Sequence, residues 1–273
     1  GIRDNDMNGN GDANDEVPLF CRSGMVQLWS MFWGLDLSDT GGYQVEDGKE
    51  VMVRKYKAGA FLAYFQSYTN TWAEPAELRG CFDEALAVAD VVGLAVGTRP
   101  DCLAPEVLDL LADYHRSTYF WLELGLQSIH DRTLEFIRRG HDYRTFLTAF
   151  SAAKECGLRV CVHVILGLPG EDRAMMLATA AAMARLRVDG IKVHLLHVIE
   201  GTPLARLFRE GGVKILDQEE YVALAVDFLE RLHPATLIHR LTGDGPREQL
   251  LAPLWSLRKW EVINAIHDEF KRR

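Results

Sequence analysis

Val160-Cys-Val-His-Val-Ile-Leu166, followed at once by Gly167-Leu-Pro-Gly170, is the stretch on which the fold reading turns. Its β-branched, almost wholly apolar run is that of a strand, and the missing alternation says that both faces are covered. Helical patterns flank it at residues 131–138 and 143–156 on one side and at 174–186 on the other. Further strands are expected at 119–124, 91–96 and 61–66 upstream and at 191–198 downstream, with helices at 105–115 and 74–89 between the upstream ones. Strand and helix in strict turn require parallel pairing through right-handed crossovers. The expected fold class is therefore α/β, a partial (β/α)6 TIM-like barrel of parallel strands with its helices outside. A sixth strand at 236–241 and helices at 218–232 and 257–271 complete the pattern.

Residues 1–43 do not share this pattern. Gly1 to Glu16 is an Asn/Asp/Gly tract with too little apolar surface to order itself. Met25-Val-Gln-Leu-Trp-Ser-Met-Phe-Trp33 is apolar but shows neither a helix nor a strand period. The chain thus divides into an atypical, poorly ordered segment over 1–43, with the first barrel strand atypical or missing, and a barrel domain with C-terminal helices over 44–273. Asp4 to Asp15 matches the oxygen-ligand spacing of a calcium loop, yet it lacks flanking helices and the apolar residue after the turn. Low-complexity sequence yields such matches readily, so no calcium site is read from it.

With 48% hydrophobic and 25% charged residues among 273, the composition is that of a soluble globular protein. A net charge of −9 gives no broad basic surface for non-specific phosphate binding. The cysteines, Cys21, Cys81, Cys102, Cys156 and Cys161, are odd in number and show no close pairing. In a chain without a secretory leader or a long apolar span, they predict a reducing, cytoplasmic setting and no membrane.

Chemistry in this architecture sits where strands run into loops, at the carboxyl edge of the sheet. Polar clusters stand at those points: Gln66-Ser-Tyr-Thr-Asn-Thr71, Gly97-Thr-Arg-Pro-Asp101, Glu123-Leu-Gly-Leu-Gln-Ser128, His163 with the Gly167 turn, and Lys192, His194 and His197. The bland readings are definite. Gly97 to Asp101 serves equally as a turn in which Asp101 caps the next helix. His194 and His197, three apart on one strand, are expected on opposite faces and so not in one site. His163 and Lys192 are expected to face the interior, where a buried histidine can be structural or functional. Glu123 lies inside an apolar run and needs a partner. Cys156 and Cys161 read as small buried side chains, and Lys271-Arg-Arg273 as a solvated helix end.

Taken together, Tyr64 to Thr71, Gly97 to Cys102, Trp121 to Ser128, Arg139-Gly-His141 and Ile165 to Glu171 resemble the bacterial radical-SAM proteins related to the elongator catalytic subunit. The resemblance runs from about Gln44 to the C-terminal helix. It implies S-adenosylmethionine as cofactor and, in intact relatives, a 4Fe–4S cluster that generates a 5′-deoxyadenosyl radical. In the related oxygen-independent coproporphyrinogen III oxidases, a Gln after the fourth barrel strand and an Arg twelve residues later contact the cofactor's ribose and carboxylate. Gln127 and Arg139 stand at that spacing, and a guanidinium fork suits a carboxylate. His163 stands where those relatives carry a cofactor-contacting Asp. Gln66, Thr69 and Asn70 replace their glycine-rich turn, and Arg99 and Glu123 join the expected cofactor-binding set as strand-end polar groups.

One implied feature departs from the pattern. The family holds its cluster through three cysteines in the loop after the first strand, whereas only Cys21 lies in that region here. Either residues 1–43 are a foreign or frame-shifted segment, or the chain is a cluster-less homologue. The expected function is that of a radical SAM enzyme with an unread substrate; the alternative is a non-catalytic scaffold for the cofactor or a partner. A hydrolase barrel using His163, His194 and Glu123 rests on residue types alone. Kinship with the elongator subunit points toward RNA as a partner, and the acidic balance gives that no support.

Overall fold

The computed structural model describes residues 25–28, 59–66, 69–243 and 245–273. Seven parallel strands form one sheet in the order β1-β2-β3-β4-β5-β6-β8. They are β1 (Met25–Leu28), β2 (Ala60–Phe65), β3 (Val91–Thr98), β4 (Tyr119–Gln127), β5 (Val160–Leu166), β6 (Gly190–Leu195) and β8 (Leu237–Arg240). Helices α1 (Pro75–Ala87), α2 (Pro105–Ser117), α3 (Asp131–Phe136), α4 (Tyr143–Glu155) and α5 (Arg173–Leu186) fill the crossovers from β2 to β6. Among the described residues β1 and β8 are the two ends of the order, so the sheet is a curled half barrel. The expected partial TIM-like architecture is the one found.

The helix starts follow from local chemistry. Asp142 and Asp172 accept hydrogen bonds from the Thr145 and Met175 amides at the starts of α4 and α5. Asp217 and Glu220 form a reciprocal capping box on α7 (Gln218–Glu230). Asp101 does not cap α2 as the turn reading expected. Ala104 holds that place, and a 3-10 turn over Pro100–Cys102 leaves Asp101 paired with Arg99.

Four elements were not legible in the sequence: the strands Met25–Leu28, Val198–Ile199 and Leu250–Ala252 and the helix Pro203–Arg209. Met25–Leu28 pairs with Ala60 to Ala63 as the edge strand, inside a segment for which no period could be read. The run expected as one strand over 191–198 breaks at Leu195. Val198–Ile199 (β7) instead pairs antiparallel with Leu250–Ala252 (β9), and α6 (Pro203–Arg209) follows. The helix expected over 257–271 is found as α8 (Lys259–Arg272) and packs against α7. The Asn/Asp/Gly tract, its calcium-loop match and Cys21 lie outside the described residues.

Alternation along each strand sorts the side chains. Phe120, Leu122, Leu124 and Leu126 of β4 point into the large core beneath the helices, together with Val160, Val162, Val164 and Leu166 of β5. The intervening residues face the hollow of the half barrel, where Tyr64, Ala95, Trp121 and Cys161 make a small apolar floor.

Candidate functional site

Above that floor the inner face becomes polar. Strand register places Glu123 beside Gly97 and Cys161, Gly125 beside His163, and His163 beside Lys192. Glu123 and Lys192 are 1% and 2% exposed, so each charge depends on protein partners. Glu123 Oε2 accepts from the Tyr64 hydroxyl at 2.6 Å, from Lys192 Nζ at 2.7 Å and from His163 Nε2 at 2.8 Å. Lys192 Nζ also donates to the Tyr64 oxygen at 3.1 Å. The partner that Glu123 was expected to need is thus a cluster drawn from β2, β5 and β6.

Burial works against a charged Glu123, but the Lys192 ammonium and the His163 hydrogen bond outweigh it and hold the carboxyl well below the usual range. Burial pulls Lys192 down, and Glu123 pulls it back. Burial also lowers His163, and it lowers His194 well below an ordinary imidazole. Burial takes His239 down to about 4. The inner face therefore holds one ion pair among neutral imidazoles at neutral pH.

The rim is built on Gly125. A bulge separates Gly125 from Gln127, and Gln127 takes φ 77°, in the left-handed region that a non-glycine residue rarely occupies. Arg139 returns from the end of α3 and donates from Nε at 3.2 Å and from Nη2 at 2.8 Å to the Gly125 carbonyl. His141 Nε2 lies 3.1 Å from the same oxygen. A Cβ on Gly125 would sit 2.2 Å from Arg139 Nη2 and 3.0 Å from Gln127 Nε2. The glycine is what lets guanidinium and amide meet over the carboxyl edge of β4. Ser128, next in the chain, donates to Glu171 and so ties the end of β4 to the turn after β5.

The other expected residues fall elsewhere. Asn70 is buried and spends its amide on the Phe65 and Gly97 carbonyls at 2.9 and 2.8 Å, knitting β2 to β3. Arg99 pairs with Asp101 and reaches the Gly140 carbonyl at 3.4 Å. Gln66 is exposed and Thr69 half-buried at the end of β2. His194 and His197 correct the alternation argument. Because β6 ends at Leu195, the strand period no longer governs His197, and both rings come within 3.6 Å of the space a Cβ on Gly243 would fill. Tyr64 and Lys192, absent from the expected cofactor set, prove central to the inner cluster. Their spacing from Phe65 and Val193 on strands of period two was the signal for an inward direction.

Glu123, Cys161 and His163 bring three ligand-type atoms within 4.8 Å of one another. The Lys192 ammonium already supplies the positive charge that this carboxylate requires, so the trio is read as an ion-pair cluster rather than a metal site. The remaining described cysteines are scattered: Cys81 on α1, Cys102 in the 3-10 turn and Cys156 at the end of α4.

The fold is an open parallel α/β half barrel with a guanidinium and an amide side by side at its carboxyl edge. Residues 49–183 match the radical SAM superfamily model, and residues 188–272 match the Radical_SAM C-terminal domain. The chain belongs to the radical SAM superfamily, whose members bind S-adenosylmethionine and a 4Fe–4S cluster. It is 47% identical over 230 residues to the uncharacterized protein YtqA of Bacillus subtilis, an alignment covering 84% of this chain and 71% of that one. It is 28% identical over 202 residues to elongator complex protein 3 of Schizosaccharomyces pombe, covering 69% and 37%. The archaeal Methanocaldococcus infernus Elp3 structure superposes with a TM-score of 0.72 at 19% identity, over 89% of this chain and 64% of that one, which is a likeness of fold. Among the described residues, no helix is long and apolar enough to cross a membrane.

Proposed function

We propose that this chain binds S-adenosylmethionine over Gly125, with Arg139 and Gln127 as its principal contacts, and that it does so without holding a cluster in the loop after β1. The observation that carries the first half is the meeting of Arg139 and Gln127 at a glycine that leaves room for them. Arg139 uses two of its donors on the Gly125 carbonyl, which fixes the plane of the fork and leaves its Nη1 side for a ligand carboxylate. Gln127 offers both a donor and an acceptor for hydroxyls. The Glu123–Lys192 pair beneath the rim stiffens the four strands that hold these groups.

The second half rests on the donor set. Between Leu28, where β1 ends, and Ala60, where β2 begins, the sequence has no cysteine, and the described cysteines do not gather. In the superfamily the cofactor supplies a 5′-deoxyadenosyl radical when a reduced cluster cleaves it. With no thiolates in that loop, this chain retains binding and orientation of the cofactor and exclusion of water. The supporting experiment is calorimetric titration of adenosylmethionine into the purified chain, before and after anaerobic incubation with iron and sulfide. Binding that weakens at least about tenfold in Arg139→Ala, with a colourless protein and no 5′-deoxyadenosine, is expected. No binding by the parent chain would overturn the proposal. A brown protein that forms 5′-deoxyadenosine would overturn its cluster-less half.

A further inference from the structure

We infer that His163 is locked as the tautomer protonated on Nε2 and presents a bare Nδ1 to the mouth of the half barrel, where it selects ligands that bring an uncharged O–H or N–H donor. The identity of the probe ligand rests on the adenosylmethionine reading above, whereas the tautomer does not. The argument begins at Glu123 Oε2, which takes three donors: Tyr64, Lys192 and His163. An ionised carboxylate has no proton to give, so the imidazole must be the donor of the 2.8 Å contact. A neutral ring has a single proton. Once that proton is on Nε2, Nδ1 is an acceptor. Double protonation is opposed by burial and by the Lys192 ammonium, which stands in register on β6. Moving the proton to Nδ1 would aim a lone pair at the carboxylate, and turning the ring over would aim a C–H at it; either loses the hydrogen bond.

Exposure shows which way the acceptor faces. The side chains of Glu123 and Lys192 are 0% and 2% exposed, while that of His163 is 16%. Nδ1 has no hydrogen-bond partner among the described residues, and it is not one of the sealed polar atoms. His163 therefore carries the cluster's influence outward. Its Cα is paired in register with Gly125, the residue over which Arg139 and Gln127 meet, and neighbouring strands stand about 4.8 Å apart. The His194 ring, 5.2 Å away on β6, flanks it on the other side. A group at this place meets the Nδ1 acceptor beside a guanidinium and an amide. A hydroxyl or N–H is accepted there, and a second acceptor or a carboxylate is repelled.

Two variants separate the ring's two ends. His163→Gln can keep the donor to Glu123 but has nothing at the Nδ1 position, whereas His163→Asn places an amide oxygen near Nδ1 and gives up the Glu123 contact. With adenosylmethionine as probe, titrated into the full chain, the Gln variant should bind about tenfold or more weakly. The Asn variant should recover most of that loss. Nitrogen-15 NMR of the parent protein, with its histidines labelled and His163 assigned through the variants, should show a neutral ring protonated on Nε2 at neutral pH. A proton on Nδ1, or an imidazolium, would overturn the lock. Equal affinity in the Gln variant and the parent would overturn the selection. If the parent fails to bind adenosylmethionine, the cofactor reading falls, and the NMR result still decides the tautomer.

Discussion

The two faces of β4 solve opposite problems with alternate residues of one strand. Toward the helices, Phe120, Leu122, Leu124 and Leu126 are each 0% exposed in an apolar core, where stability comes from area removed from water and from close packing. Toward the hollow, Trp121, Glu123, Gly125 and Gln127 pass in four steps from an apolar floor to an ion pair, a bare backbone and an open amide. On the helix side any side chain of suitable volume serves. On the hollow side each residue is fixed by a particular partner, because a buried charge or amide without one costs several kcal/mol. The lesson is that one face carries the fold and the other carries the specificity.

The sharpest way to break this contrast is to remove one partner of the buried pair. Lys192→Met should lower the unfolding free energy by about 4 kcal/mol, measured by urea denaturation, since it strands the Glu123 carboxylate. Adding Glu123→Gln should return a large part of that loss. On the helix side, Leu122→Ala should cost about 3 kcal/mol through a cavity, and no second substitution of charge should repair it.

A pH series sharpens the comparison further. His239 titrates at about 4 in the folded chain against about 6.5 unfolded, so below pH 6.5 the unfolded state takes up more protons. Stability should therefore be full above pH 6.5 and decline toward pH 4, by no more than ~3 kcal/mol from this residue, and His239→Gln should flatten that slope. His163 and His194 are shifted in the same direction. Glu123, depressed instead, keeps its contribution until the pH falls below about 4.3. The smallest effect belongs to the outer surface. Asp113→Ala, which removes half-exposed pairs with Arg79 and Arg116, should change stability by less than about 0.5 kcal/mol.

Much of this was legible in the residues. The run from Val160 to Leu166 read as a strand covered on both sides and is one. Glu123 inside apolar sequence read as a residue in need of a partner, and it has three. Gln127 and Arg139 were singled out by the family resemblance rather than by any period, and both side chains stand beside Gly125. What failed did so for identifiable reasons. His194 and His197 were assigned to opposite faces because a strand was assumed to continue past Leu195. The plain turn reading, one of two for Gly97 to Asp101, had Asp101 cap α2, but Arg99 offers it a charge-assisted pair that competes with the amides. Met25–Leu28 carries no period of its own because its place is fixed by pairing with β2.

Local pattern alone determined the succession of strands and helices, the parallel pairing and the division of each strand into an outward and an inward row. These depend on backbone geometry and burial, which act over a few residues and leave a period in the chain. Only the tertiary structure decided which inward residues meet. Tyr64 and Lys192 reach Glu123 across 59 and 69 positions of sequence, and Arg139 folds back over Gly125. Electrostatic partnership depends on distance in space, which no periodicity in a sequence records.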